Sequence, residues 1–171
     1  RIFAMNGKKD ASGLDIGSMQ RLLAESFEAG ASGFSTGLIY PPACFASREE
    51  LVGLASVAAE YDRIFSVHIR NEKDSFVESF MEAVGIAKEA GCRLQVSHLK
   101  VYGGENEGKI DEIFAVAEKE TREGMEINFD SYPYTFGSTS LATILPDEYK
   151  GLAFEELSMK LTNPGERERI R

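Results

Sequence analysis

Histidine and cysteine are scarce in this sequence and tryptophan is absent: 171 residues carry two His, two Cys and no Trp. Two cysteines, Cys44 and Cys92, with no Cys-x-x-Cys, exclude a disulfide framework. Both read as reduced thiols. Cys92 stands before an apolar run and reads as packing, whereas Cys44 falls in a loop with no base or ligand spacing beside it. Basic runs are missing and the formal net charge is −9, which argues against nucleic acid or an anionic membrane surface as a main partner. No apolar stretch approaches the ~20 residues that span a bilayer, and nothing like a signal peptide opens the sequence, so the expectation is a cytoplasmic protein. No Gly-x-Gly-x-x-Gly follows a strand pattern, which takes support from a dinucleotide site.

What is present is an ordinary folding composition, 43% hydrophobic with 11 Phe and 27% charged, enough for one domain with a real core. The sequence starts at Arg1 without an initiator methionine and ends inside the charged helical pattern Glu166–Arg171. The expectation is a single fragment, residues 1–171, of something longer.

Along the chain, strand and helix patterns alternate about every 30 residues. From Ser18, Met19, Leu22, Leu23 and Phe27 have helical spacing, stopped by Gly30. Gly33–Tyr40 reads as a short strand closed by Pro41-Pro42. Ser47 and Glu50 have capping-box spacing before a helix with Leu51, Leu54, Ala55 and Ala58 on one face. Ile64–Arg70 reads as a strand that delivers His68 to a loop. Asp74 or Ser75 caps the next helix, whose Phe76, Phe80, Ala83, Val84 and Ala87 share a face and which Gly91 ends. Arg93–Lys100 reads as a second buried strand, followed by a helix with Ile110, Ile113, Phe114 and Ala117 inward. Met125–Asp130 is the next strand, and after Pro146 helical regions cover Phe154–Leu161 and the stretch following Asn163-Pro164. Repeated βα units imply an α/β fold with parallel strands, either part of a (β/α)₈ barrel or an open doubly wound sheet.

The two histidines are the organising signal. His68 and His98 each follow an apolar run rich in β-branched or aromatic residues, and each is followed at i+2 by a cation, Arg70 or Lys100. Histidines delivered to the same end of consecutive strands favour the barrel, where strand ends face the ligand side. Strands about 4.8 Å apart would let two imidazoles meet one divalent ion at about 2.0–2.1 Å, zinc or a similar metal. Asp130, ending the next strand pattern, is either a further ligand, a carboxylate orienting an imidazole, or a turn cap. Arg70 and Lys100 could bind a substrate carboxylate or pair with Glu72, Glu105 or Glu107. Tyr132, Tyr134, Ser138 and Thr139 form a hydroxyl-rich loop that can donate to a carbonyl or carboxylate oxygen.

As a set, Gly30-Ala-Ser-Gly-Phe-Ser-Thr-Gly-Leu-Ile-Tyr-Pro-Pro42, Val67-His-Ile-Arg-Asn-Glu72, Val96-Ser-His-Leu-Lys100 and Asp130-Ser-Tyr-Pro-Tyr134 with Gly137-Ser-Thr139 resemble the N-acyl-D-amino-acid deacylases (D-aminoacylases) of the metal-dependent amidohydrolase superfamily. The resemblance runs from about Gly30 to Pro146. It implies a distorted (β/α)₈ barrel that hydrolyses the amide of an N-acyl-D-amino acid with zinc-activated water, one or two zinc ions serving the whole enzyme. Under it His68 and His98 match zinc ligands on the fifth and sixth barrel strands. Lys100 and Tyr132 match residues that bind the substrate carboxylate, with Ser138 beside them, and Tyr40 lines the acyl pocket. A D-glutamate or D-aspartate substrate would want a further cation, for which Arg70 is the candidate.

The departures matter equally. The His-x-His pair and the general-base aspartate that complete such a site are absent, and neither cysteine stands where the family's cysteine ligand belongs. The resemblance therefore implies about strands 4 to 7 of the barrel, the parts before and after missing, and no activity for the fragment alone. Open strand edges should drive this fragment to self-associate as a homodimer. Two other readings remain: a cyclic amidase of the same superfamily, dihydroorotase-like or hydantoinase-like, and a non-catalytic α/β interaction domain whose histidines are structural.

Overall fold

The computed structural model describes residues 15–170, so residues 1–14 and 171 of the expected single fragment lie outside it. Helix α1 (Ile16–Glu28) starts two residues before the Ser18 pattern because the Asp15 carboxylate accepts the amide of Ser18 at 3.0 Å. Its Met19 and Phe27 are buried, and Gly30, at φ 103, turns the chain into strand β1 (Gly33–Gly37). That strand is shorter than Gly33–Tyr40, since the Tyr40 amide turns back onto the Gly37 carbonyl at 3.0 Å.

Helix α2 (Arg48–Glu60) is capped as expected, the Ser47 hydroxyl accepting the Glu50 amide at 3.2 Å. Strand β2 (Ile64–His68) follows. Before helix α3 (Phe76–Ala90), Ser75 takes the N-cap position without a side-chain cap bond. Asn71 instead shapes the turn that leads into it, its Oδ1 accepting the amides of Lys73 at 2.7 Å and Ser75 at 3.3 Å, both upstream of the helix. Gly91, at φ 70, stops α3 in the left-handed conformation that favours glycine. Strand β3 (Arg93–Val96), helix α4 (Lys109–Arg122) and strand β4 (Ile127–Phe129) complete the repeats. Helices α5 (Phe154–Thr162) and α6 (Pro164–Ile170) follow, the latter started by Asn163, whose Oδ1 accepts the amides of Gly165 at 2.8 Å and Glu166 at 3.3 Å.

The strands form one parallel sheet in the order β1-β2-β3-β4. An order that never reverses gives every crossover the same sense, so successive helices land on one face and pack side by side, α1 on α2, α2 on α3, α3 on α4. A doubly wound sheet would need a reversal, and none occurs among the described residues. The helix-facing side is the core: Phe65, Val67, Leu94 and Val96 from the sheet meet Leu51, Ala55, Phe76, Phe80, Ala83, Val84 and Ile113. Phe34 and Phe65, paired in register, stack with ring centroids 4.9 Å apart.

Phe114, expected inward, is 39% exposed and packs instead on Phe129 at the outer edge of β4, centroids 5.6 Å apart. The other sheet face is polar, carrying Ser35, Ser66, Gln95 and Asn128 by strand alternation, with the Ser66 and Ser97 hydroxyls 2.9 Å apart. No helix is long and apolar enough to cross a membrane among the described residues.

Candidate metal centre and its cavity

His68 is the last residue of β2 and pairs with Gly37. Since Phe65 and Val67 point at the helices, alternation gives His68 to the polar face with Ser66. His98 lies two residues beyond β3, not on it. Strict alternation would send it with Leu94 and Val96 toward the helices, but its φ of 40 breaks the alternation and turns the ring back toward His68. That left-handed backbone, costly for a residue with a Cβ, is held from β4. The Asp130 Oδ1 accepts the His98 amide at 2.7 Å and the Asp130 carbonyl accepts the Leu99 amide at 2.8 Å. The second carboxylate oxygen accepts Gln95 Nε2 at 2.8 Å. Asp130 thus acts on the backbone of His98 and not on its ring.

The result is a histidine pair. His68 Nδ1 and His98 Nε2 face each other at 3.0 Å, with ring centroids 4.5 Å apart and planes at 70°. Glu72, one helical turn after His68 in sequence and only 6% exposed, completes a group whose ligand atoms all lie within 4.8 Å of one another. Its Oε1 is 3.8 Å from His68 Nε2 and 3.7 Å from His98 Nδ1. His68 Nε2 is buried with no hydrogen-bond partner.

Burial, reinforced by the charges of His98 and Lys100, lowers the His68 pKa to about 4, so its imidazole is neutral and keeps a lone pair. Burial raises the Glu72 pKa, and the Lys100 ammonium opposes that shift. Two facing imidazoles with a carboxylate beside them suit zinc, and the facing nitrogens stand close to the separation that two ligands of one tetrahedral ion adopt, about 3.4 Å. The residues fit a divalent metal.

These groups floor a cavity of about 340 Å³ that is also lined by Tyr40, Arg70, Lys100, Tyr132 and Ser138. Of the expected site residues, Asp130 and Tyr134 do not border it. The Tyr40 ring lies 5.4 Å from His68 and its hydroxyl is 2.9 Å from Thr139 Oγ1. Lys100 donates to Glu72 Oε1 at 2.6 Å, one of the pairings left open by the sequence, and its ammonium is 5.5 Å from the Tyr132 ring and 5.6 Å from Tyr102. Arg70 pairs with none of the three glutamates considered above. Its guanidinium grips both Glu82 oxygens at 2.9 Å and donates to the carbonyls of Cys44 at 2.6 Å and Ala46 at 3.3 Å, tying the loop before α2 to α3.

Tyr132 stacks on Tyr134 with centroids 4.4 Å apart. Gly137 leaves no room for a side chain, since an added Cβ would collide with the Tyr102 hydroxyl. Burial, and then a hydrogen bond with Tyr132, raise the Tyr102 pKa. Glu72 beside the imidazoles, and not only beside Lys100, and Tyr102 are not among the expected site residues. Glu72 was visible as the fourth residue after His68, a spacing that brings a carboxylate back beside the ring once the chain turns there. Tyr102 carried no signal. Cys92 lies at the opposite end of β3, its thiol pushed up to about 11 by burial.

No family model matches the chain. It is 40% identical over 124 residues to an N-acyl-D-glutamate deacylase of Alcaligenes xylosoxydans xylosoxydans, a match covering 72% of this chain and 25% of the relative. Among solved structures it is similar to N-acyl-D-glutamate deacylase from Bordetella bronchiseptica, complexed with zinc and a phosphonate inhibitor that mimics the tetrahedral intermediate. The TM-score is 0.69 at 41% identity, covering 70% of this chain and 25% of that one. A D-aminoacylase structure described by its binuclear metal centre gives a TM-score of 0.65 at 32% identity, with the same coverage. The chain spans about a quarter of the length of these relatives, and its four parallel strands and their helices are part of the barrel fold they share. At 32–41% identity over about 70% of its residues, the chain belongs to the N-acyl-D-amino-acid deacylase (D-aminoacylase) family of amidohydrolases.

Proposed function

We propose that this chain forms one wall of the active site of a zinc-dependent deacylase that hydrolyses the linear amide of N-acyl-D-amino acids, acidic D-amino acids among them. The observation that carries this reading is the pair of facing nitrogens, His68 Nδ1 and His98 Nε2 at 3.0 Å, on the floor of a cavity that also holds the Lys100 ammonium and the Tyr132 and Ser138 hydroxyls. His68 and His98 would hold zinc, which when bound supplies a Lewis acid and activates water. Lys100 and Tyr132 bind the substrate carboxylate, with Ser138 donating beside them, and Tyr40 borders the acyl group. Arg70 keeps the loop between β1 and α2 in place through Glu82. Lys73 and Lys150 add positive charge to the same cavity, which suits an acidic side chain on the substrate, and the 40% identity to an N-acyl-D-glutamate deacylase supports the same choice.

The remaining metal ligands and the general base come, in this reading, from parts of the protein beyond this chain, which is inactive by itself. The test is the whole protein assayed on N-acetyl-D-glutamate, N-acetyl-L-glutamate and a cyclic amide such as hydantoin. Hydrolysis of the D-amide alone, lost on chelation and in His68→Ala and His98→Ala, is the expected result. Hydrolysis of the cyclic amide instead would replace the reading with the cyclic amidase, and full activity in both variants would leave the histidines structural.

A further inference from the structure

Each imidazole has two nitrogens, and the pair uses only one from each ring to face the other. The remaining two, His68 Nε2 and His98 Nδ1, turn toward a single atom, Glu72 Oε1, at 3.8 Å and 3.7 Å. We infer, resting on the zinc reading above, that Glu72 is the positioning residue of the metal pair: one buried carboxylate oxygen stands behind both rings at once, beyond hydrogen-bond distance in the metal-free pair, and favours by its charge the proton on their rear nitrogens, which closes to a hydrogen bond when the front nitrogens take the ion. A ring that binds a cation through one nitrogen must carry its proton on the other, and an anion behind that proton fixes the ring's orientation and raises the donor strength of the front nitrogen.

Glu72 can act in one other way, as a ligand itself, which would put the ion on the rear side of both rings. The Lys100 ammonium already stands there, 2.6 Å from Glu72 Oε1, 3.2 Å from the His98 carbonyl and 3.4 Å from His98 Nδ1. A second cation at that place would meet the first. The same ammonium explains how a carboxylate 6% exposed keeps its charge. A protonated His98 Nδ1 cannot accept from Lys100, but the ammonium has two closer acceptors in Glu72 and the His98 carbonyl, so the contact at 3.4 Å is dispensable.

The two rings are the whole histidine complement of the 171-residue chain, so labelling with ¹⁵N-histidine gives a spectrum with no overlap. In the zinc-titrated chain the inference expects His68 as the Nε2–H form and His98 as the Nδ1–H form. Glu72→Gln should move both N–H resonances and weaken zinc binding about 10- to 100-fold, the usual effect of losing such a partner. Because Glu72→Gln strands Lys100, a second variant, Glu72→Gln/Lys100→Met, removes both members of the ion pair; it should show the same weakening.

The reverse proton positions would overturn the inference in favour of direct ligation by Glu72. Undiminished zinc affinity in the double variant would overturn it in favour of a carboxylate that serves Lys100 alone. Absence of any zinc response at these two rings in the unsubstituted chain and in the whole protein alike would defeat the histidine pair as a metal site, and the role of Glu72 with it.

Discussion

Asp130 holds His98 by its main chain: the carboxylate that follows β4 accepts the amide of a residue beyond β3 at 2.7 Å, where φ is 40. Asp130→Ala should therefore act at a distance from the ring it never touches. The loss of an exposed charge-assisted hydrogen bond costs about 1 kcal/mol, read from urea unfolding. The larger effect falls on zinc affinity, because His98 can then relax toward the alternation of β3. Unaltered affinity would mean that the turn at Ser97-His98 keeps its shape unaided.

Arg70 spends its guanidinium on Glu82 and on the Cys44 and Ala46 carbonyls. Arg70→Met should lower stability by about 2 kcal/mol while leaving KM for an N-acyl-D-amino acid within about twofold in the whole protein. Arg70→Lys should rescue little, since an ammonium cannot span both Glu82 oxygens and two carbonyls. A tenfold rise in KM with stability intact would return Arg70 to the substrate.

Burial raises the Cys92 thiol from 9.0 to about 11. The unfolded thiol releases its proton first as pH rises, so this contribution is complete below about pH 9 and disappears between 9 and 11, amounting to about 2–3 kcal/mol. Cys92→Ala should remove that part of the alkaline decline, measured as the pH dependence of unfolding midpoints. In the folded chain at pH 8, Cys92 should also resist iodoacetamide, becoming reactive in urea. Equal alkaline slopes for both proteins would contradict this.

Among the described residues β1 and β4 each pair on one side only, and the sheet face opposite the helices is uncovered. The isolated chain is expected to sediment as a dimer at tens of micromolar, two copies covering each other's edges. A monomer under those conditions would show that the polar groups of the open face and the short edge strands suffice to keep copies apart.

Much of this arrangement was legible in the residues. The buried faces of α2 and α3 followed from spacing, as did the stops at Gly30 and Gly91, because helix periodicity and left-handed glycines leave local signatures. The histidine pair was legible as two strand ends. The position of His98 was not, since a positive φ at histidine is imposed by Asp130, 32 residues away, and no local pattern encodes it. Phe114 has inward helical spacing, but it sits by the outermost strand, against Phe129, where no further strand closes over it among the described residues. Glu72 was seen as a partner for cations and missed as a partner for the imidazoles, a role that depends on three side chains converging after the chain has turned.

The central strands β2 and β3 are hydrogen-bonded along both edges and sealed by α2, α3 and α4, whereas β1 and β4 are paired on one side. Amide hydrogens of Phe65, Val67, Leu94 and Val96 should consequently exchange with solvent more slowly than those of the outer strands. His68 ends one of these two protected strands, and His98 follows the other by two residues. Fraying of β1 alone would leave the two imidazoles side by side, whereas fraying of β4 frees Asp130 and with it the His98 backbone, so the capacity to recapture a metal ion should fail together with β4 and outlast β1.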